Sequence, residues 1–341
     1  MKILKRKRTS LALVLGMAAL VAVACGGSDN GVTSSSCPGV PPRGLNPDSR
    51  GTGAYTMILR VNNEEQVKQF AADPLRSRIR NRDMFLINTE YKKMGSGDAE
   101  NLFQELKSNF PCNRVMSLNG LLKVPGKPGY MYALAGEQGL NAILLDWEKG
   151  TWEEANKVPW SDVPKVALKR MVKDVESVAN QIAENPGAAE TRVGTATEFR
   201  SGWDYANFAN RLAQVNSNLN KDFLGYQIVQ SQDRCEGDGD SDSLAELADG
   251  IRTQYREGRV STAAGTSVKE SLAHLGFEIS FSTNPKPNAA IAVDRDSPSS
   301  ASRCTAEVLK TGGSAFIYWA TPAAIEAMLS TAPGKKLRSA S

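Results

Sequence analysis

The sequence predicts a single (β/α)8 TIM barrel, a one-domain α/β fold, on three observations. Eight strand-like apolar segments run along the chain, most of them separated by segments with helical spacing. Several are continuous apolar runs rather than alternating ones, as parallel strands covered on both faces require. The chain has 341 residues, 41% of them hydrophobic, which suffices for one large core, and barrels of this size form one domain.

The first strand is expected at 55–61 (YTMILRV) and the second at 83–91 (DMFLINTEY), while the segment between them shows no clear helical pattern. Residues 99–110 carry apolar side chains at helical spacing, 114–122 (RVMSLNGLL) form the third strand and 141–148 (NAILLDWE) the fourth. A long helix is expected over 162–185, with Val163, Val166, Met171, Val175, Val178 and Ile182 along it. The fifth strand is a weaker pattern within 192–200, followed by a helix at 205–219; the sixth is 223–231 (FLGYQIVQS). A helix over 243–255 opens with Ser243-Leu-Ala-Glu246, a pattern in which serine and glutamate cap each other's free N–H groups. Helices at 267–275 and 302–310 precede the seventh strand, 277–283 (FEISFST), and the eighth, 314–320 (SAFIYWA). Pro322 opens a last helix, at a position where its missing N–H is not needed.

The barrel is expected at 54–331, with both chain ends outside it. In residues 1–24, Lys2, Lys5, Arg6, Lys7 and Arg8 precede an apolar stretch at 11–24, too short to span a membrane comfortably. Ala22-Val23-Ala24-Cys25 resembles a bacterial lipobox, with Ala22 where leucine is commoner. It implies diacylation of Cys25 and cleavage before it; an ordinary secretory signal is the alternative. Acyl chains on Cys25 would hold an exported lipoprotein at a membrane surface without spanning it. Gly26 rather than aspartate follows Cys25, which in a cell with two membranes favours the outer one. Residues 25–53, rich in Ser, Gly and Pro, read as a flexible tether, and 332–341 as a disordered, frayed tail.

The formal charge of +4 belongs to the leader: without the five positive charges of residues 1–24 the chain stands at about −1. No nucleic-acid partner is expected, and a monomer is. Cys37, Cys112, Cys235 and Cys304 read as two disulfides in an exported chain. No C-x-x-C spacing occurs and His274 is the only histidine, so no metal, cofactor or histidine-based triad is expected. His274 suits the C-terminal end of a helix. On the barrel, Cys235 follows strand six and Cys304 begins a helix after strand seven, both at the C-terminal face, whereas Cys112 precedes strand three at the opposite face. Bridged Cα atoms lie within about 7 Å, so the expected pairs are Cys235–Cys304 and Cys37–Cys112.

Barrel enzymes carry their chemistry at the C-terminal strand ends. Asp146 and Glu148 stand two apart at the end of the fourth strand, so period-two geometry puts both on one side and Trp147 on the other. Two close carboxylates disfavour double ionisation. A neutral glutamic acid is the proton donor that glycosidic cleavage needs.

On these residues the chain resembles glycoside hydrolase family 18, the chitinases and their relatives, whose fourth strand carries D-x-x-D-x-D-x-E. Asn141-x-x-Leu144-x-Asp146-x-Glu148 has that spacing; its last two acids match and its first two do not. Ser117-Leu118-Asn119-Gly120 is similar to the family's S-x-G-G motif, one residue off. Tyr226-Gln-Ile-Val-Gln230-Ser-Gln232 resembles the sixth strand of plant-type members, with Gln232 where a tyrosine is expected. Gly312-Gly313-Ser-Ala-Phe-Ile-Tyr318-Trp319 resembles the eighth. The likeness runs in order over residues 55–330. It implies a glycoside hydrolase acting on N-acetylated or related polysaccharide by a substrate-assisted retaining mechanism. Glu148 would protonate the glycosidic oxygen and Asp146 would orient the substrate's acetamido group. Trp319 would form the floor under the sugar, with Gln230, Gln232, Tyr226 and Asn119 binding it. Leu144 removes the acid that shares a proton with the aspartate in the family. A non-catalytic glycan-binding lipoprotein is therefore the alternative, and a structural envelope lipoprotein a third.

Other features have plainer readings. Asp146 and Glu148 also suit a solvated strand end. Glu278 is the second residue of the expected seventh strand, at the wrong end of the barrel to work with Glu148. The run Glu236-Gly-Asp238-Gly-Asp240-Ser-Asp242 alternates as calcium loops do, but Ser243 and Asp249 stand where such a loop has Gly and Glu, so a solvated acidic loop is expected. Trp152, Trp160 and Trp203 are expected mainly to pack.

Overall fold

The computed structural model describes residue 37 and residues 55–88, 96–118, 140–147, 173, 176–180, 191–197, 206, 210, 224–230, 244–259, 275–280, 302, 305, 306, 309, 315–319 and 321–339. These fall in one compact unit, Gly31–Ser341. Eight strands close a barrel in chain order. They are β1 Thr56–Val61, β2 Met84–Asn88, β3 Arg114–Leu118, β4 Ala142–Trp147, β5 Arg192–Thr197, β6 Leu224–Gln230, β7 Leu275–Ser280 and β8 Ala315–Trp319. Every neighbouring pair is parallel, and β1 closes on β8 with Thr56 opposite Ala315 and Leu59 opposite Tyr318. The chain is thus the (β/α)8 barrel that the apolar runs predict. The described helices are α1 Glu64–Ala71, α2 Ser96–Asn109, α3 Leu244–Arg256, α4 Pro322–Leu329 and α5 Ala332–Ser339, with a 3-10 turn at Arg76–Arg78.

Alternate strand residues fill the barrel. Ile58, Leu86, Met116, Leu144, Ala196 and Ile228 belong to one buried cluster. Residues of the other phase face the helices. Phe85 meets Phe70 of α1 edge-on, with centroids 5.9 Å apart, and lies 4.6 Å from Phe110. The Arg76 guanidinium sits 4.7 Å from the Phe110 ring, which gives this layer a cation–π lid.

Helix α1 occupies the segment whose pattern is unclear in sequence. Only Val67 and Phe70 of its eight residues are buried, so the apolar stripe is short. Its start is defined by capping instead. The Asn63 side chain accepts from the Gln66 N–H at 2.9 Å, and the Gln66 side chain accepts from the Asn62 N–H at 2.8 Å. Asn63→Ala is expected to cost about 1 kcal/mol, measured as a fall of about 1–2 °C in Tm.

Two expectations are corrected. The tail expected at 332–341 is helix α5 over Ala332–Ser339. Leu337 is fully buried, and Arg338 makes a two-pronged ion pair with Asp83 at 3.0 and 3.1 Å. Gly334 lets α5 lie close to α4: a Cβ there would collide with the Met328 carbonyl and the Leu329 backbone. The seventh strand begins at Leu275, which was expected to end a helix. Leu275-Gly276 reads as a helix stop, but Gly276 pairs with Ile228 on one side and Ala315 on the other, and the ladder prevails.

Candidate functional site

Backbone register decides which positions share the barrel mouth. Asp146, the next-to-last residue of β4, pairs with Ala196, Ala196 with Ile228, and Ile228 with Gly276. Ala196 and Ile228 belong to the interior cluster, so Asp146 holds an interior-phase position two residues beyond Leu144. Gln230 ends β6, two residues beyond Ile228. Trp319 ends β8, four residues beyond Ala315, and pairs with Ser280. Asp146, Gln230 and Trp319 therefore lie in one phase at the C-terminal ends of three strands, where a barrel presents its ligand site.

Glu278 joins this set, against expectation. It is the fourth of six residues in β7, two beyond Gly276, and pairs with Gln230 and Ile317. The earlier start of β7 moves it from the far end of the barrel toward the mouth. A glutamate between Phe277 and Ile279 was the signal available in the sequence. Tyr226 lies on β6 where three steps of that strand match two of β5: Val193 pairs with Leu224 and Thr195 with Gln227. This extra residue breaks the alternation at Tyr226. Glu148, Gln232, Asn119, Cys25, Cys235 and Cys304 lie outside the described residues, as do His274, Trp152, Trp160, Trp203 and the acidic run 236–242.

The two positions that depart from the fourth-strand pattern, 141 and 144, are both fully buried. Leu144 is fully buried within the interior cluster, where a carboxylate would be stripped of water among apolar neighbours. Asn141 is fully buried just before β4; its N–H donates to the Val115 carbonyl at 2.8 Å and its carbonyl accepts from the Arg192 N–H at 3.1 Å. Ser117 is fully buried in the helix-facing phase, paired in register with Ile87 and Ile143. Asp249 pairs with Arg256 at 3.2 Å on α3. At the opposite face, Cys37 is bonded to Cys112, with Cα atoms 5.3 Å apart, in the turn that leads into β3.

No protein-family model matches the sequence, and no curated protein matches it. Among solved structures, the catalytic domain of psychrophilic chitinase B from Arthrobacter TAD20 is similar at 12% identity, over 86% of this chain and 98% of that one, with a TM-score of 0.45. The PgaB (BpsB) glycoside hydrolase domain from Bordetella bronchiseptica is similar at 9% identity, over 84% and 98%, with a TM-score of 0.40. A type I 3-dehydroquinate dehydratase from Clostridium difficile is similar at 11% identity, over 76% and 93%, with a TM-score of 0.38. At such identity and TM-scores these likenesses assign no activity to this chain.

Proposed function

We propose that this protein is an exported glycoside hydrolase that cleaves N-acetylated or related polysaccharide and is held at a membrane by acylated Cys25. The observation that carries the reading is the shared phase of Asp146, Gln230 and Trp319 at the C-terminal strand ends. Glu148 follows Asp146 by two residues in the sequence. In this reading Glu148 gives its proton to the glycosidic oxygen as the bond to the leaving sugar breaks. The substrate's acetamido oxygen attacks the anomeric carbon, and Asp146 steadies the acetamido N–H. Water then opens the cyclic intermediate and returns a proton to Glu148, with net retention.

A second reading, binding without turnover, is favoured by Leu144, since position 144 supplies no carboxyl to share a proton with Asp146. The full chain incubated with chitin oligomers, peptidoglycan strands and other polysaccharides separates the two. Release of reducing ends from any of them supports the hydrolase. Retained binding to a polymer with no release from any overturns it in favour of the glycan-binding reading. In this reading an aromatic ring at position 319 would stack on the C–H face of a sugar. Trp319→Ala is expected to raise KM about tenfold, roughly 1.4 kcal/mol of lost binding, with kcat changed much less, as read by initial rates.

A further inference from the structure

A pocket of about 640 Å³ opens at the N-terminal face of the barrel, the end opposite the mouth, between the 3-10 turn before β2 and the two C-terminal helices. Its lining includes four cationic side chains, Arg78, Arg80, Lys335 and Arg338, together with the hydroxyls of Ser77 and Ser330. No acidic side chain is among the described lining residues. Asp83, the carboxylate behind them, is fully buried and already engaged. It accepts from the Met57 N–H at 2.9 Å, the Arg80 N–H at 2.8 Å and both arms of Arg338. Among the described residues, Asp83 acts on Arg80 and Arg82 as well as Arg338. Burial first holds the Arg80 and Arg82 guanidinium pKa values below the ordinary range, and repulsion from Arg338 adds to it, against the pull of Asp83. The buried Nε of Arg338 has no hydrogen-bond partner among the described residues.

We propose that this pocket binds a phosphate group. Arg338 is paired with Asp83, and the Ser77 and Ser330 hydroxyls already donate to the Pro74 and Glu326 carbonyls; the other three lining cations, Arg78, Arg80 and Lys335, suit a tetrahedral oxyanion with several acceptor oxygens. Two sources share this chemistry, a free phosphate and the headgroup of an anionic phospholipid. The second fits the reading above, on which this clause rests. Asn113, next to Cys112, donates to the carbonyls of Arg80 and Asp83 at 2.7 and 2.8 Å. The Cys37–Cys112 bond therefore joins the N-terminal segment to the face that carries the pocket. Twelve residues lead from Cys25 to Cys37, a tether of at most about 40 Å.

The test uses the full chain carrying Cys25→Ser, so that no acyl chain contributes to binding. Inorganic phosphate is titrated calorimetrically against chloride of equal ionic strength. Flotation is then measured with phosphatidylcholine vesicles with and without phosphatidylglycerol. Lys335 lines the pocket, whereas Lys336 is exposed on the same helix and does not. Saturable phosphate binding, weakened at least tenfold by Lys335→Glu and unchanged by Lys336→Glu, supports the proposal. Flotation that needs phosphatidylglycerol and is lost in Lys335→Glu assigns the site to a headgroup; phosphate binding without flotation assigns it to a soluble phosphate. Absence of saturable phosphate binding, or equal loss in both variants, overturns the proposal. The fold of each variant is checked by Tm without phosphate, so loss of binding is not mistaken for unfolding.

Discussion

Glu148→Gln is expected to lower reducing-end release by at least about a hundredfold and up to about ten-thousandfold, the range for removing a general acid. Binding of the same polymer should stay within a few-fold of wild type. The amide keeps the size of the carboxyl and still makes hydrogen bonds, but it has no acidic proton to give to the leaving oxygen. Both effects are measured on one preparation, by initial rate and by calorimetric titration. Loss of binding in parallel with rate would mean that Glu148 holds the sugar rather than cleaves the bond. Unchanged turnover would remove Glu148 from the chemistry. Glu278 provides a second comparison, because its pairing with Gln230 places it in the phase of Asp146. If the acetamido group is the nucleophile, Glu278→Gln leaves turnover of N-acetylated substrate largely intact and alters binding at most. If Glu278 is itself the nucleophile of a two-carboxylate scheme, the same variant abolishes turnover of every substrate, N-acetylated or not.

The strands were legible because a parallel barrel buries both faces of each one, and runs such as Ile143-Leu144-Leu145 have few other destinations. What periodicity missed was set by tertiary pairing. β7 starts at Leu275 because Gly276 fits between Ile228 and Ala315 in the ladder, which local sequence does not announce. Helix α1 is eight residues long with two buried positions, a short apolar stripe, although Asn63 and Gln66 carried its cap in plain view. The candidate site divides in the same way. Asp146, Gln230 and Trp319 were legible as the ends of strong strands. Glu278 was placed at the wrong end by the shift of β7, and Tyr226 falls at a register irregularity that spacing does not reveal. The basic pocket had no local signature. Its parts come together from opposite ends of the chain, Arg78 with Ser330 across 252 positions and Arg80 with Arg338 across 258.

Helix α5 is the element in which sequence and structure differ most, and its ion pair carries the second large expected effect. Ala332-Pro333-Gly334-Lys335-Lys336-Leu337-Arg338 has a proline, a glycine, three bases and one large apolar residue, the composition of a solvated end. The structure spends Arg338 on a fully buried carboxylate, with 12% of the arginine side chain exposed and none of Asp83. Breaking a buried pair from one side leaves the other charge uncompensated, at about 3–5 kcal/mol. Arg338→Ala is expected near the lower bound, about 3 kcal/mol, because the Met57 and Arg80 N–H groups still donate to Asp83. In a chain of this length that lowers Tm by about 5 °C, read by thermal melts with the Cys37–Cys112 bond intact. Arg338→Lys should fall between, since an ammonium keeps the charge but not the two-pronged fit. Truncation after Thr331 should cost more than Arg338→Ala, because it also uncovers the surface under Leu337. A truncated chain that melts with the wild type would show that α5 rests on the barrel without holding it. A chain that loses more than Arg338→Ala would make residues 332–339 part of the folded domain, stapled to the start of β2 from the far end of the sequence.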